Sequence, residues 1–171
     1  MKKFIINFIF LIFSIPMILA QETLQVIDSK ITFVIKNAGF NVNGSFSGLK
    51  ANIETENKKP SKITATIDAN TINTNNRSRD KHLRKDDYFD VVKYPFIKMQ
   101  SVNITPASAT QFSATFELTI KNVTKNIQLP FTYKNDIFEG SFTINRLDYG
   151  VGESSWILSN DVTVKIYVKT Q

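Results

Sequence analysis

From Leu24 onward the apolar residues of this chain fall on every second position, the period of strands that bury one face and expose the other. Ile31, Phe33 and Ile35 set the parity. It returns in Leu49, Ala51 and Ile53, in Ile63, Ala65, Ile67 and Ala69, and in Phe112, Ala114, Phe116, Leu118 and Ile120. Ile127, Leu129, Phe131 and Tyr133 follow, then Phe138, Gly140, Phe142 and Ile144, then Val162, Val164, Ile166 and Val168. Polar turns at residues 57–60, 105–110, 121–125 and 134–136 separate the runs. Seven or eight strands with connections this short pair antiparallel, which predicts an all-β sandwich or closed barrel.

One stretch breaks the rhythm. Residues 70–95 are too long for a hairpin and too charged for a core strand. Asn76 or Ser78 is placed to cap a short helix, and Asp80 with Arg84 has the spacing of a favourable i,i+4 pair on it. Leu83, Tyr88 and Phe89 would face the interior. Long connections in compact domains usually cover or line something, so this one reads as a lid or end plug.

The start of the chain stands apart from this pattern. Lys2 and Lys3 precede an uncharged run, residues 4–20, which ends on the small residue Ala20. This is the pattern of a secretory signal, shorter than a membrane-spanning helix and interrupted by Asn7, Ser14 and Pro16. The expectation is a leader at residues 1–20 and one mature domain at residues 21–171, periplasmic or secreted. Without the leader Lys+Arg falls from 21 to 19 against 15 acidic residues, so the formal charge drops from +6 to +4. That mild excess gives no argument for nucleic acid. Cysteine is absent, which excludes disulfide scaffolds, thiol chemistry and Cys-ligated zinc.

Chemistry-bearing residues concentrate in the charged stretch. It holds the only histidine, His82, next to Arg79, Asp80 and Lys81. One histidine without cysteines does not make a metal site, and no serine triad follows from spacing, so Asp80 and His82 are expected to brace the loop. No cofactor is expected. Arginines at the mouth of an apolar interior offer forked donors to a phosphate or other polar head group. Ten of the fourteen phenylalanines lie beyond the leader, mostly on the strand parity, where periodicity does not separate a filled barrel from a hollow one.

Longer motifs then match a family. Asn76-Arg-Ser-Arg-Asp-Lys-His-Leu-Arg-Lys-Asp-Asp-Tyr-Phe-Asp with Lys93-Tyr-Pro-Phe-Ile resembles the signature of the YceI-like family of exported lipid-binding proteins. Leu118-Thr-Ile-Lys-Asn-Val-Thr-Lys125 with Leu129-Pro-Phe, Ile144-Asn-Arg-Leu-Asp-Tyr-Gly-Val-Gly152, and Asp161-Val-Thr-Val-Lys-Ile follow in that family's order. The resemblance implies an eight-stranded antiparallel lipocalin-like barrel with a helical or loop insertion near residues 70–95. Its interior would hold a polyisoprenoid or similar chain, such as an isoprenoid quinone, a prenyl phosphate or a fatty amide, without catalysis. The expected apolar lining is Phe33, Ile35, Ile63, Ala65, Ile67, Ile97, Met99, Ala114, Phe116, Leu118, Leu129, Phe131, Phe142, Ile144, Trp156, Val164 and Ile166. Arg79, His82, Arg84 and Arg146 are the head-group candidates.

Two departures from the family are visible. Asn122 stands where glycine is common in a turn, and Asn37 where a histidine is frequent. A left-handed backbone at Asn122 would be tolerated. Two other function classes compete, a small outer-membrane barrel and a hydrolase using His82. Transient membrane contact and a homodimer are left open.

Overall fold

The computed structural model describes residues 21–171, so the expected leader lies outside the described residues. The alternation becomes ten strands: β1 (Gln21–Leu24), β2 (Val26–Asn37), β3 (Phe40–Phe46), β4 (Lys50–Glu56), β5 (Lys59–Asp68), β6 (Phe96–Pro106), β7 (Gln111–Ile120), β8 (Val123–Lys134), β9 (Ile137–Asn145) and β10 (Leu158–Thr170). All pair antiparallel in one sheet, in the order β1-β4-β5-β6-β7-β8-β9-β10-β2-β3. The count is ten where eight were expected, because two runs are broken. Gln25 alone separates β1 from β2, and its backbone exchanges both hydrogen bonds with Gln171. Residues 47–49 separate β3 from β4. The sheet curls, since its edge strand β1 runs directly into β2 beside the opposite edge.

Three strands escaped the period-two reading: β1, whose four residues are too short to show a period, and β3 and β6. In β3 the inward position between Val42 and Phe46 is Gly44, and the ring of its cross-strand partner Phe33 lies over it. A Cβ on Gly44 would sit 2.1 Å from that ring, so the glycine is required by the close approach. In β6 a bulge between Ser101 and Asn103 shifts the parity. Ile97 and Met99 face inward before it, whereas Ile104 packs on the core after it, and Val102 is turned out to solvent. Side chains repair the ladder there. Ser101 Oγ accepts from the Ile63 N–H at 2.9 Å, and Asn103 Oδ1 accepts from the Thr115 N–H at 3.0 Å.

The inward faces do not fill the enclosed space evenly. One end is closed by aromatic stacking: Phe112 on Phe131 at 5.3 Å between centroids, and Tyr133 on Phe138 at 4.2 Å. Ala114 lies buried in this floor opposite Leu129 and Ile104, with the bulky Phe112 and Phe116 on either side. Near the middle the facing pairs are small, Ala51 opposite Ala65 and Ala65 opposite Met99.

The stretch that broke the rhythm covers the other end. A 3-10 turn, Ala69–Thr71, leads to a short helix α1 (Arg77–Leu83) capped by Asn76, whose side chain accepts from the Arg79 N–H at 3.0 Å. Asn73 pairs its backbone with Ser45 on the free edge of β3. Phe89 packs edge-on against Phe46 at 5.7 Å, which holds the lid down on the sheet. The positive φ of the β7–β8 turn falls on Lys121 (φ 55°), while Asn122 is not in that conformation. Lys121 Nζ also donates to the carbonyls of Asp86 and Gly150, joining the turn to the lid.

A stability measurement tests the packed floor. Ala114→Phe should overpack it and lower unfolding free energy by about 1–3 kcal/mol in denaturant titrations. An unchanged midpoint would mean that free space reaches this layer.

Candidate functional site

Between the aromatic floor and the lid lies an apolar cavity of about 660 Å³. Its walls are the inward positions of the strands, with Phe33, Ile35, Ile63, Ala65, Ile67, Ile97, Met99, Phe116, Leu118, Leu129, Phe131, Phe142, Ile144, Val164 and Ile166 all at its surface. Two of the expected lining residues are elsewhere. Ala114 is packed beneath the cavity in the floor, and Trp156 stands fully exposed in the loop before β10. That loop has no strand parity, so alternation carried no information about where its indole points. The reading of the residues also passed over Ile31, Val42, Phe46, Ile53 and Ile72, which line the cavity. Ile31 and Ile53 were visible on the strand parity. Ile72 carried no signal because it comes from the lid.

Polar groups gather at the lid end. Thr74, Asn76, Ser78, Arg79 and His82 reach the cavity from the lid, and Asn37 and Arg146 reach it from the strand ends. Asp80 is the buried centre of the lid's bonding. Its Oδ1 accepts from the Thr74 N–H at 2.8 Å and from the Thr74 hydroxyl at 2.5 Å. Arg79 supports the same residue, donating from Nε to Thr74 Oγ1 at 2.7 Å and from NH2 to the Thr74 carbonyl at 2.8 Å.

The i,i+4 pair of Asp80 and Arg84 does not form. Arg84 instead donates to the carbonyls of Asn70 and Ile72, both at 2.8 Å, and does not reach the cavity. Backbone oxygens left free by the 3-10 turn outcompete a carboxylate already held by Thr74. His82 braces the lid within itself. Its Nε2 lies 3.1 Å from Asp87 Oδ2 and its ring packs edge-on against Tyr88 at 5.0 Å. Among the described residues Asp87 is its only hydrogen-bonding side chain.

Arg146 is the most constrained of the candidates. It is 3% exposed, at the end of β9, where β10 bulges between Leu158 and Val162. The bulge presents the Ser159 carbonyl to Nε at 3.0 Å. The Val151 and Glu153 carbonyls accept from NH1 and NH2 at 2.8 and 2.7 Å. Every near partner is neutral, and among the described residues no carboxylate pairs with it. Burial pushes its pKa below the ordinary value, yet an arginine keeps its proton in a protein, so a positive charge faces the cavity without a counter-charge. Gly152 makes room for this group. Its φ is +67°, a Cβ would lie 2.7 Å from the Tyr88 ring and 3.0 Å from Arg146, and its N–H donates to the Asp87 carbonyl at 2.8 Å.

Asp80→Ala should leave both Thr74 donors unsatisfied and favour local opening of the lid by about 1–3 kcal/mol. Hydrogen exchange should then accelerate across residues 72–90 while β7 and β8 stay protected. Unchanged exchange in the lid would show that Asp80 does not hold it.

The geometry agrees with the comparisons. A UPF0312 protein of Pseudomonas aeruginosa is 30% identical over 152 residues, covering 81% of this chain and 79% of that protein. The structure of Burkholderia cenocepacia BcnA superposes with a TM-score of 0.77 at 24% identity, over 85% of this chain and 98% of that one. A YceI protein of Campylobacter jejuni gives 0.69 at 27% identity, over 77% and 86%. A polyisoprenoid-binding domain from Saccharophagus degradans gives 0.63 at 19% identity, over 90% and 98%. The family model described as the YceI-like domain matches residues 23–170, so the chain belongs to the YceI-like family.

Proposed function

We propose that this chain is an exported lipid-binding protein whose cavity holds a polyisoprenoid or another long apolar chain, for transport, storage or protection. The observation that carries the reading is the polarity of the cavity: along the strands its inward side chains are apolar, Thr32, Thr66, Lys98 and Glu139 bordering it only from outward register positions, and the remaining polar residues gather at the lid. A chain with one polar end fits that gradient in one orientation, tail on the floor and head beneath Arg79, His82 and Arg146. The polyisoprenoid-binding domain of Saccharophagus degradans, alike in fold, supports this class of ligand. Binding rather than catalysis is also the reading the family favours. His82 and Asp87 are both about half exposed, and no nucleophile bonds to the histidine among the described residues.

The same reading counts eight strands. Leu24 opposite Ile53 and Ile31 opposite Phe46 share one register, so β1 with β2 and β3 with β4 are two long strands parted at their middles. With that count the sheet closes as a lipocalin-like barrel. The inward face is the apolar one, opposite to an outer-membrane barrel with its polar lumen. Residues 1–20, with their basic start and apolar run, support cleavage before Gln21 and a periplasmic or secreted destination.

Organic extraction of the purified exported protein, followed by mass spectrometry, should yield a long apolar chain from a protein whose intact mass begins at Gln21. Ala65→Phe would place a ring in the cavity beside Met99, so the delipidated variant should keep its melting temperature while lipid affinity falls about tenfold or more. A lower melting temperature with affinity unchanged would overturn the lipid cavity.

Arg146 supplies a sharper test of the head-group end. The uncompensated charge should make a prenyl phosphate bind more tightly than the uncharged prenol. Arg146→Gln should abolish that ratio and Arg146→Lys should keep it. Comparing both ligands in the same variant cancels any loss of stability, and a ratio unmoved by Arg146→Gln would remove Arg146 from the head-group site.

A further inference from the structure

Three of the large apolar side chains that the described residues leave exposed meet at one side of the cavity mouth. Phe40 (77% exposed) opens β3 opposite Asn37, and Trp156 and Ile157 (63%) end the loop before β10. The Ala38 N–H donates to the Ile157 carbonyl at 2.7 Å, which ties the two loops into one rim. Their immediate neighbours Asn37 and Leu158 already line the cavity. The lid also borders the cavity, where Asn76, Ser78 and His82 are both exposed and cavity-lining. Arg77, Lys81 and Lys85 are exposed on the same segment, and among the described residues none of them is ion-paired.

The geometry points to a membrane-docking surface: the rim of Phe40, Trp156 and Ile157 inserts into the headgroup region of an anionic bilayer, with Arg77, Lys81 and Lys85 of the lid on lipid phosphates and the cavity mouth against the membrane. Area argues against a protein partner. Three such side chains offer on the order of 500 Å², below the ~800 Å² per partner of a stable protein interface. Tryptophan and phenylalanine beside aliphatic and cationic groups are what the bilayer interface accommodates, with ring and polar edge each meeting their own solvent. Charge agrees in sign: residues 77–93 carry six Lys and Arg against four Asp, although Glu153 on the rim loop offsets part of this.

The placement explains what a rim of this kind does. A long apolar chain has a high free energy in water, so its transfer is fastest where bilayer and cavity share one apolar boundary. That use rests on reading the cavity as a lipid site; docking itself does not.

Trp156 is the only tryptophan in the sequence and serves as its own probe. The delipidated exported protein is titrated with vesicles of phosphatidylcholine containing phosphatidylglycerol. Its emission should shift to the blue and become protected from iodide. Pure phosphatidylcholine should give the weaker response. Phe40→Ser and Ile157→Ser should each weaken partitioning about tenfold, the scale expected for withdrawing a large apolar group from the interface. Val102→Ser, at an exposed site on the outer face of β6, should bind as the parent does. Three results overturn the proposal: an unshifted emission with both vesicle types, an equal loss in Val102→Ser, or a blue shift that follows protein concentration without vesicles and so marks pairing of two copies. Cargo is read separately by extraction. An extractable chain with an unshifted Trp156 overturns docking alone, and a shift without an extractable chain upholds docking while removing the cargo.

Discussion

The backbone hydrogen-bond ladder fixes neighbouring strands about 4.8 Å apart, and everything else in the molecule follows from that spacing. A sheet that curls until β1 runs into β2 encloses a width set by the number of strands, with no freedom to contract onto its side chains. The side chains then decide, layer by layer, how much of that width is occupied. Where Phe112, Phe131, Tyr133 and Phe138 meet, ring stacks span it. Where Ala51, Ala65 and Met99 face the interior, they do not. The cavity is therefore a consequence of residue size on a scaffold of fixed width, and its floor and walls come from the same alternating pattern.

This division explains how much was legible in the residues alone. Periodicity reports which face a side chain takes, so the inward set was readable wherever the ladder is regular, and most of the expected lining is at the cavity surface. It fails where regularity fails. The β6 bulge moves the inward face from Met99 to Ile104, so a strict period of two does not describe that strand. Gly44 adds no apolar side chain to the alternation, so β3 gave no signal, yet it is demanded by the Phe33 ring packed across it. Ala114 and Ala65 look alike on parity, and only depth along the strand separates a floor residue from a wall residue. Trp156 lies in a loop, where parity has no meaning.

The lid shows the complementary limit. Its length and charge announced a separate element, and Asn76 as its cap was readable because capping is local. Its bonding was not, because it is settled by competition among partners that sequence spacing does not rank. Asp80 takes the two donors of Thr74, six residues back, in place of Arg84 at the helical spacing. Arg84 then goes to the Asn70 and Ile72 carbonyls, which the 3-10 turn leaves without partners. A buried carboxylate with two fixed donors is already satisfied, and Arg84 is itself held by two backbone carbonyls, so neither group needs the other. In the β7–β8 turn the left-handed position is its first residue, Lys121, whose side chain also donates to the Asp86 and Gly150 carbonyls.

Under the proposed function, Arg79 and Arg146 would act on a head group differently from the forked pairing that their chemistry first suggests. Arg146 already donates from Nε, NH1 and NH2 to neutral oxygens of its own loops, and Arg79 and Arg84 are each held twice in the same way. Fixed donors of this kind orient the guanidinium but leave its charge in place. Inside an apolar cavity that charge acts through a low effective dielectric, so its field reaches several ångströms with far less loss than in water. Such a field distinguishes an anionic head from a neutral one without requiring one oxygen geometry. A phosphate, a pyrophosphate or a carboxylate would satisfy it equally, while the length and bulk of a bound chain would be judged separately by the walls. On the proposed reading, selectivity would divide between charge at the lid and volume above the floor, and each half would rest on residues that the other does not use.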